Sequence, residues 1–562
     1  MSPTPYREEH DEVARRVLAS WNRDPGSPSF GSFDRQFWGW KRSDFSDATL
    51  QAGVALALRC TEALGGGELL SPLLDGFVEF LAAIQHRDGS FDQCYPHERT
   101  PGVVYDMLPG LLAVRDSPRL SPRARGRLEE VLRRAAAYAL ASDETHGEIA
   151  NHFASFGYEA VRAGLALGDE RLLARGREYL ERTVALFDER EGWFEEYHGP
   201  DAGYQSRCLV YTSAAAALLQ DEALWSVSAR AARFLEQLLQ PDDSLHPMLG
   251  VRSTALLYPS GFERLAARDP AFRPLAARIR RAWAGRRVPL PSDVDMPNAI
   301  RYAEDAWQAA ELGDPLGELA PEPPPQGVVH LPRAGIWIRR EPDRVTSVAW
   351  RLGGVTVVHR RDPDGEWRLA HEDAGWLLST PRERWVTRAA GGGRLVAQDD
   401  ARLEVACGFA RSLHEELTPA RLLLLRASNL TVLRSQRLGD LFRKIVVRRL
   451  ISGKETLPLE LRRRIALGPE GVTIEDRIVG FSRLPRRLRG AALHLCRRVT
   501  GNHMASARYF QEQELTPPQP WLEPVAPPAG DLLERRREVR VAAAAQPRER
   551  IASSSSNPGR HP

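Results

Sequence analysis

GELAPEPPPQG, residues 317–327, divides the chain into two halves of different character. Its prolines, Pro321, Pro323, Pro324 and Pro325, fix φ and withhold backbone donors, so the stretch reads as a stiff linker. Upstream, over residues 1–316, apolar positions recur every three or four residues, as in LLSPLLDGFVEFLAAIQ (69–85), ARGRLEEVLRRAAAYALA (124–141) and ERLLARGREYLERTVALF (170–187). That spacing predicts helix after helix. Downstream, over residues 328–516, the chain turns β-rich: GVVHLPRAGIWIRR (327–340), VTSVAWRLGGVTVVHRR (345–361), LTVLRS (430–435), KIVVRRLISG (444–453) and VTIEDRIVG (472–480). Turn pairs such as Gly353-Gly354 and Asp364-Gly365 punctuate them, the pattern of an antiparallel β-sandwich. Residues 517–562 are rich in Pro, Ala, Arg and Ser and are expected to be largely disordered.

The helical half carries a weak repeat. FVEFLAAIQHRDGSF ends at Phe91, YLERTVALFDEREGWF at Phe194 and ARFLEQLLQPDDSL at Leu245. Each is a helix, an acidic or glycine turn, then an aromatic or apolar residue. Further breaks near Phe37, Asp143 and Asp293 give a period of roughly 50 residues, one helical hairpin with its loops. About six such hairpins form an α/α toroid, an incomplete barrel whose breaks share one end, so that distant residues line one cleft.

Composition narrows the function. A chain of 562 residues exceeds the size at which one core keeps growing, so two domains are expected. The net charge of +3 lacks the signature of a nucleic-acid binder. Lysine is confined to Lys41, Lys444 and Lys454; the rest of the positive charge is arginine, which reflects a GC-rich genome or suits carboxylate recognition. Five scattered cysteines contain no CxxC pair, so neither a disulfide framework nor a zinc finger is indicated. No apolar run approaches a membrane span and the N-terminus lacks a signal pattern, so a cytoplasmic location is expected. Oligomeric state is not legible.

Five stretches carry a family resemblance: FWGWKRSDFSDATLQ (37–51), DGSFDQCYPHER (88–99), NHF (151–153), GWFEEYHGPDAGYQS (192–206) and GVRSTALLYPSGFE (250–263). HLPRAGIWIRR (330–340) then looks like the opening strand of the second domain. In order and spacing they resemble the heparinase II/III-like family, particularly members associated with bacterial surface polysaccharides. The resemblance implies an α/α toroid plus β-sandwich that cleaves a uronate-containing, acidic polysaccharide by β-elimination. That chemistry needs a group to neutralise the carboxylate, a base at C5 and an acid for the departing O4. It requires no cofactor, although a metal could replace a cation.

The resemblance assigns Asn151 to carboxylate neutralisation and His152 to proton abstraction or substrate orientation. Asn151 is alternatively a helix cap. Tyr204 matches the family tyrosine and is the candidate proton donor to O4, and a second candidate for the base, with Tyr197 and His198 as competing positions. Arg207 and Arg252 would supply the positive field that a phenolate needs. Glu196 and Asp201 would orient those cations or bond sugar hydroxyls, and His97 and Glu98 could reach substrate. Trp38 and Trp40 either stack on sugar rings or pack in the core. In the sandwich, His359 and His371 are the candidates for a cleft-facing histidine, but neither lies in a His-x-His-x-Asp arrangement. A zinc site from His371, Asp373 and a third ligand has poor spacing. Two other functions compete. An inverting glycoside hydrolase could pair carboxyls from Glu196, Asp201 and Glu98 at roughly 6.5–9.5 Å. A glycan-binding protein could keep the fold without the chemistry.

Overall fold

The computed structural model describes residues 4–33, 48–93, 97, 99–144, 149–389, 391–412, 418–450, 455–497 and 521–540. Trp38, Trp40 and Glu98 lie outside the described residues.

The N-terminal half is a helical toroid. Its inner helices are α1 (Tyr6–Ala19), α3 (Val54–Ala63), α5 (Pro101–Asp116), α7 (Ala150–Leu167), α9 (Ala202–Leu219), α11 (Ser260–Arg268) and α13 (Met296–Gly313), and each packs on the next until α13 meets α1. The short α2 (Ala48–Gln51) rests on α5. Outside lie α4 (Gly67–Ile84), α6 (Pro122–Ala141), α8 (Glu170–Ala185), α10 (Glu222–Leu238) and α12 (Arg273–Ala284). Among the described residues five outer helices thus back seven inner ones.

Sequence explains the layering. Outer helix α8 buries Leu172, Tyr179 and Leu180 and gives its other face to Arg171, Glu178 and Glu181. Inner helix α9 is buried from Ala202 to Ser206 and again from Cys208 to Ala216, so it needs small side chains rather than one apolar stripe. The α7/α8 contact depends on glycine: a Cβ on Gly176 would lie 2.7 Å from Val161 Cγ2. No described helix is long and apolar enough to cross a membrane.

The second half is two stacked antiparallel sheets. A two-stranded ribbon, β1 (Phe187–Asp188) with β2 (Trp193–Phe194), belongs to the toroid. The first sheet runs in order β3 (Gly327–Leu331), β4 (Ile336–Arg340), β5 (Arg344–Ala349), β6 (Val355–Arg361), β7 (Trp367–Asp373). The second comprises β8 (Gly375–Ser379), β9 (Arg384–Val386), β10 (Gly393–Asp399), β11 (Arg402–Ser412), β12 (Thr456–Gly468), β13 (Gly471–Val479), β14 (Ala492–Cys496), β15 (Leu522–Val525) and β16 (Leu532–Arg540). Its order is β15-β14-β8-β9-β11-β12-β13-β16, with β10 also on β11. Trp337, Val348 and Val358 of the first sheet meet Leu403, Ile465, Val472 and Ile474 of the second. The other face of the first sheet joins the toroid: Ala334, Ile336, Ile338 and Val345 belong to the toroid's own apolar cluster.

Two expectations change. Strands β15 and β16 fall within 517–562, so that stretch is not all disordered tail; 541–562 lie outside the described residues. Arginine-rich LLERRREVR conceals a strand because its inward Arg537 bonds the carboxylates of Asp373 and Asp476, both at 2.8 Å or less. Second, 430–435 and 444–453 are expected as strands, but α14 (Pro419–Leu430) and α15 (Gln436–Leu450) form a helical insertion between β11 and β12. Leu438, Leu441, Phe442 and Ile445 repeat at helical spacing, and this period prevails over the β-branched run that follows.

Candidate active site

The loops before α7, α9 and α11 meet at the N-terminal ends of those parallel inner helices. Ile149 pairs with Glu196 in an isolated antiparallel bridge. This brings NHF against GWFEEYHG. The backbone N–H of Asn151 donates to Glu196 Oε1 at 2.8 Å, and its side-chain Nδ2 donates to the same oxygen at 3.0 Å. Asn151 is therefore not the cap of α7; its amide is committed to Glu196. Asp201 caps α9, accepting the N–H of Tyr204 at 3.3 Å, and its other oxygen accepts the N–H groups of Arg252 and Thr254 at 2.9 and 3.3 Å. A Cβ on Gly250 would come within 2.7 Å of that oxygen, so only glycine permits the approach. Arg252 places its guanidinium 4.5 Å from the centre of the Tyr197 ring.

Backbone strain concentrates here. Of seven described non-glycine residues with positive φ, Tyr197 (55°), His198 (77°) and Ser253 (56°) flank the Arg252–Tyr197 contact. Each such conformation costs on the order of 1–3 kcal/mol and persists where the surroundings enforce it, commonly at functional sites.

The electrostatics are those of buried polar groups. Burial pushes the Glu196 carboxyl up to about 8, against the Asn151 hydrogen bonds and Arg252 and together with Asp201. Near neutral pH it is thus mostly protonated. Burial likewise raises the Tyr197 phenol to about 12, outweighing Arg252, and lifts Tyr204 well above the ordinary phenol value. Tyr204 is 5% exposed but stands outside the toroid's apolar cluster; its neighbours include Arg252, Asp201 and Glu196. Asn151 Oδ1, Glu196 Oε2, the Tyr204 hydroxyl and Arg252 Nε are buried without a hydrogen-bond partner. Each such atom left unpaired costs about 1–3 kcal/mol, which bound water or a ligand would relieve.

The remaining candidates divide. His152 follows Asn151 on α7; its Nδ1 lies 2.7 Å from Glu144 Oε2, and its side chain is 33% exposed. His198 is exposed beside Glu195. Arg207 turns toward the toroid axis, where Tyr211, Tyr258 and Asp106 surround it. His97 lies on another loop, near His86 and Asp92. The sandwich histidines are not brought to this group. His359 is buried where the first sheet meets the toroid, 3.9 Å from Asp242, and burial lowers it to about 4. His371 is buried between the sheets near Arg497 and Asp373, also lowered to about 4 by burial. Strand alternation sets both positions: Glu372, between His371 and Asp373, points the other way to bond His246 at 2.9 Å.

Three features escaped the sequence reading. Glu144, eight positions before His152, was legible only as a loop carboxylate. Arg388 of the sandwich donates to the Gly250 carbonyl and to Ser253 Oγ, bracing the loop that carries Arg252; one arginine among so many gives no signal. Along the axis, Arg301 lies 2.7 Å from Asp106 and 3.7 Å from Glu159, a charged plug whose members come from three different helices.

Asp373 is no zinc ligand: its oxygens bond Arg463 at 2.9 Å and Arg537 at 2.8 Å. Among the described residues, His86, Asp92 and His97 bring potential ligand atoms within 4.8 Å of one another. His86 and Asp92 already bond at 2.7 Å, and the positive charges of Arg434 and Arg99 bear on His97, which opposes a cation there.

No family model matches the sequence, and no curated protein matches it. Solved structures do share the fold. The chondroitin AC lyase of Streptomyces coelicolor A3, determined with chondroitin sulphate, superposes with a TM-score of 0.52 at 13% identity, over 87% of this chain and 67% of that one. A Paenibacillus xanthan lyase gives 0.49 at 11% identity, over 87% of this chain but only 46% of its own. The heparan sulfate lyase HepC of Pedobacter heparinus gives 0.42 at 12%, over 86% and 70%. The chain thus shares the fold of that chondroitin AC lyase.

Proposed function

We propose that the chain is a polysaccharide lyase of heparinase II/III-like type that opens an acidic, uronate-containing glycan by β-elimination. The observation that carries this is the orphaned polar set gathered around Glu196: its neutral carboxyl, the Asn151 amide oxygen, the Tyr204 hydroxyl and Arg252 Nε. A uronate carboxylate suits such a set. Protonated Glu196 donates from Oε2 and Arg252 balances the charge, so that together they stabilise the enolate-like intermediate, while Asn151 Oδ1 is left to accept from a sugar hydroxyl. His152, oriented by Glu144 through Nδ1, is the group we assign to take the C5 proton. Tyr204, kept neutral by burial, is suited to donate to O4 rather than to act as base. The C4–O4 bond breaks, leaving a 4,5-unsaturated uronate and a free hydroxyl on the departing chain.

Hydrolysis by paired carboxyls fits less well, because both Asp201 oxygens already accept backbone N–H groups. The depth of Tyr204 favours a second reading, a glycan-binding protein without turnover. Incubation with a panel of uronate polysaccharides decides among them. Elimination yields ultraviolet-absorbing product that is lost in His152→Ala and Tyr204→Phe. New reducing ends without absorbance indicate hydrolysis. Binding without either product, unchanged in both variants, overturns the enzymatic reading.

A further inference from the structure

The insertion 419–450 is unlike the rest of the molecule in charge and in packing. It holds eight Lys and Arg against the single acidic residue Asp440, net +7, in a chain whose total is only +3. The remainder is therefore net acidic. Within α15, Leu438, Leu441, Phe442 and Ile445 fall at i, i+3, i+4 and i+7, a complete apolar stripe that ordinarily faces a core. Here those four residues are 42–54% exposed, and Leu423 and Leu424 of α14 reach 68% and 69%. The described cations of the insertion, among them Arg421, Arg426, Arg437 and Lys444, are exposed as well.

The insertion is also fixed in place. Gln436 Nε2 donates to the carbonyl of Arg99, and the Arg99 guanidinium donates to the carbonyl of Arg434, tying the start of α15 to the 88–99 loop of the toroid. Exposed leucines interleaved with arginine, with almost no acidic residue, are the composition of helices that lie in the plane of an anionic bilayer. A protein partner with an apolar groove would meet the apolar stripe equally well; the seven excess positive charges favour a surface that is both apolar and negatively charged.

We infer that α14 and α15 form a docking surface for an anionic lipid bilayer, holding the chain on the membrane face without spanning it. The inference does not depend on the proposed lyase reaction. Cosedimentation of the full chain with phosphatidylcholine vesicles containing about one-third phosphatidylglycerol tests it, against phosphatidylcholine alone. Binding is expected only to the anionic vesicles and should weaken steeply with salt. Leu441→Asp/Phe442→Asp should abolish it, and Arg437→Gln/Lys444→Gln should weaken it about 25-fold, since each cation near such a surface contributes about fivefold. All substituted side chains are exposed, so melting temperature should stay at the wild-type value. Equal binding to both vesicle types, no binding to either, or unaltered binding in both variants overturns the inference. So does light scattering that shows a dimer broken by Leu441→Asp/Phe442→Asp in a protein that ignores vesicles, for then a second copy covers this face.

Discussion

A carboxyl that stays protonated near neutral pH is the residue-scale key to this molecule. Glu196 titrates near 8 when folded and near the ordinary carboxylate value of 4.5 when unfolded. Between those values the folded chain holds a proton that the unfolded chain has released. Stability from this group is therefore fully present below about pH 4.5 and is lost as pH rises toward 8, by up to about 1.4 kcal/mol per pH unit. Glu196→Gln mimics the neutral form and can still accept from Asn151. Its melting temperature should gain on the wild type as pH rises through this window, in parallel thermal scans; identical pH profiles would show that Glu196 is not held neutral in the folded chain. Tyr204→Phe removes only a hydroxyl. Turnover of a uronate polymer should fall by about 10²–10⁴-fold with substrate affinity retained, as read from kcat and from equilibrium binding.

At the scale of elements, the site depends on one loop being clamped from two sides. Asp201 at the start of α9 and Arg388 from the sandwich both grip residues 250–254. Gly250→Ala would drive a methyl group into Asp201 Oδ2. It should destabilise the fold by about 1–3 kcal/mol in denaturant titration and cut turnover by displacing Arg252. Turnover at the wild-type level despite that loss would mean that the loop position does not matter to function. The buried Asp373–Arg463–Asp476–Arg537 network shows the same principle in the sandwich. Arg463 occupies an inward position of β12 between Leu461 and Ile465, which only paired charge makes tolerable.

For the whole molecule, toroid and sandwich are one cohesive body. The first sheet lends Ala334, Ile336, Ile338 and Val345 to the toroid's core, and Arg340 donates to Gln237 across the junction. Residues 1–316 expressed alone should consequently melt below the full chain or precipitate, because a contiguous apolar face is uncovered. An isolated fragment with full-length thermal stability would show that the sheet contributes nothing to the toroid.

The sequence by itself determined the periods: apolar residues at 3–4 spacing before the proline linker and alternation after it specify helices and strands, because burial of one face is a local demand. It also exposed the loops that meet in the candidate site, since aromatic and charged residues crowd the breaks between helices. Where charge replaced the apolar residue at an inward position, as at Arg463 and Arg537, or where two periods competed, as in 430–453, local pattern was an incomplete guide. Only the tertiary structure decided that Asn151 serves Glu196 rather than a helix end, that His359 and His371 are interior, and that Glu144 and Arg388 brace the site. Those outcomes rest on hydrogen bonds and desolvation between residues far apart in the chain, and such energies exist only once the ring has closed and the sheet has docked.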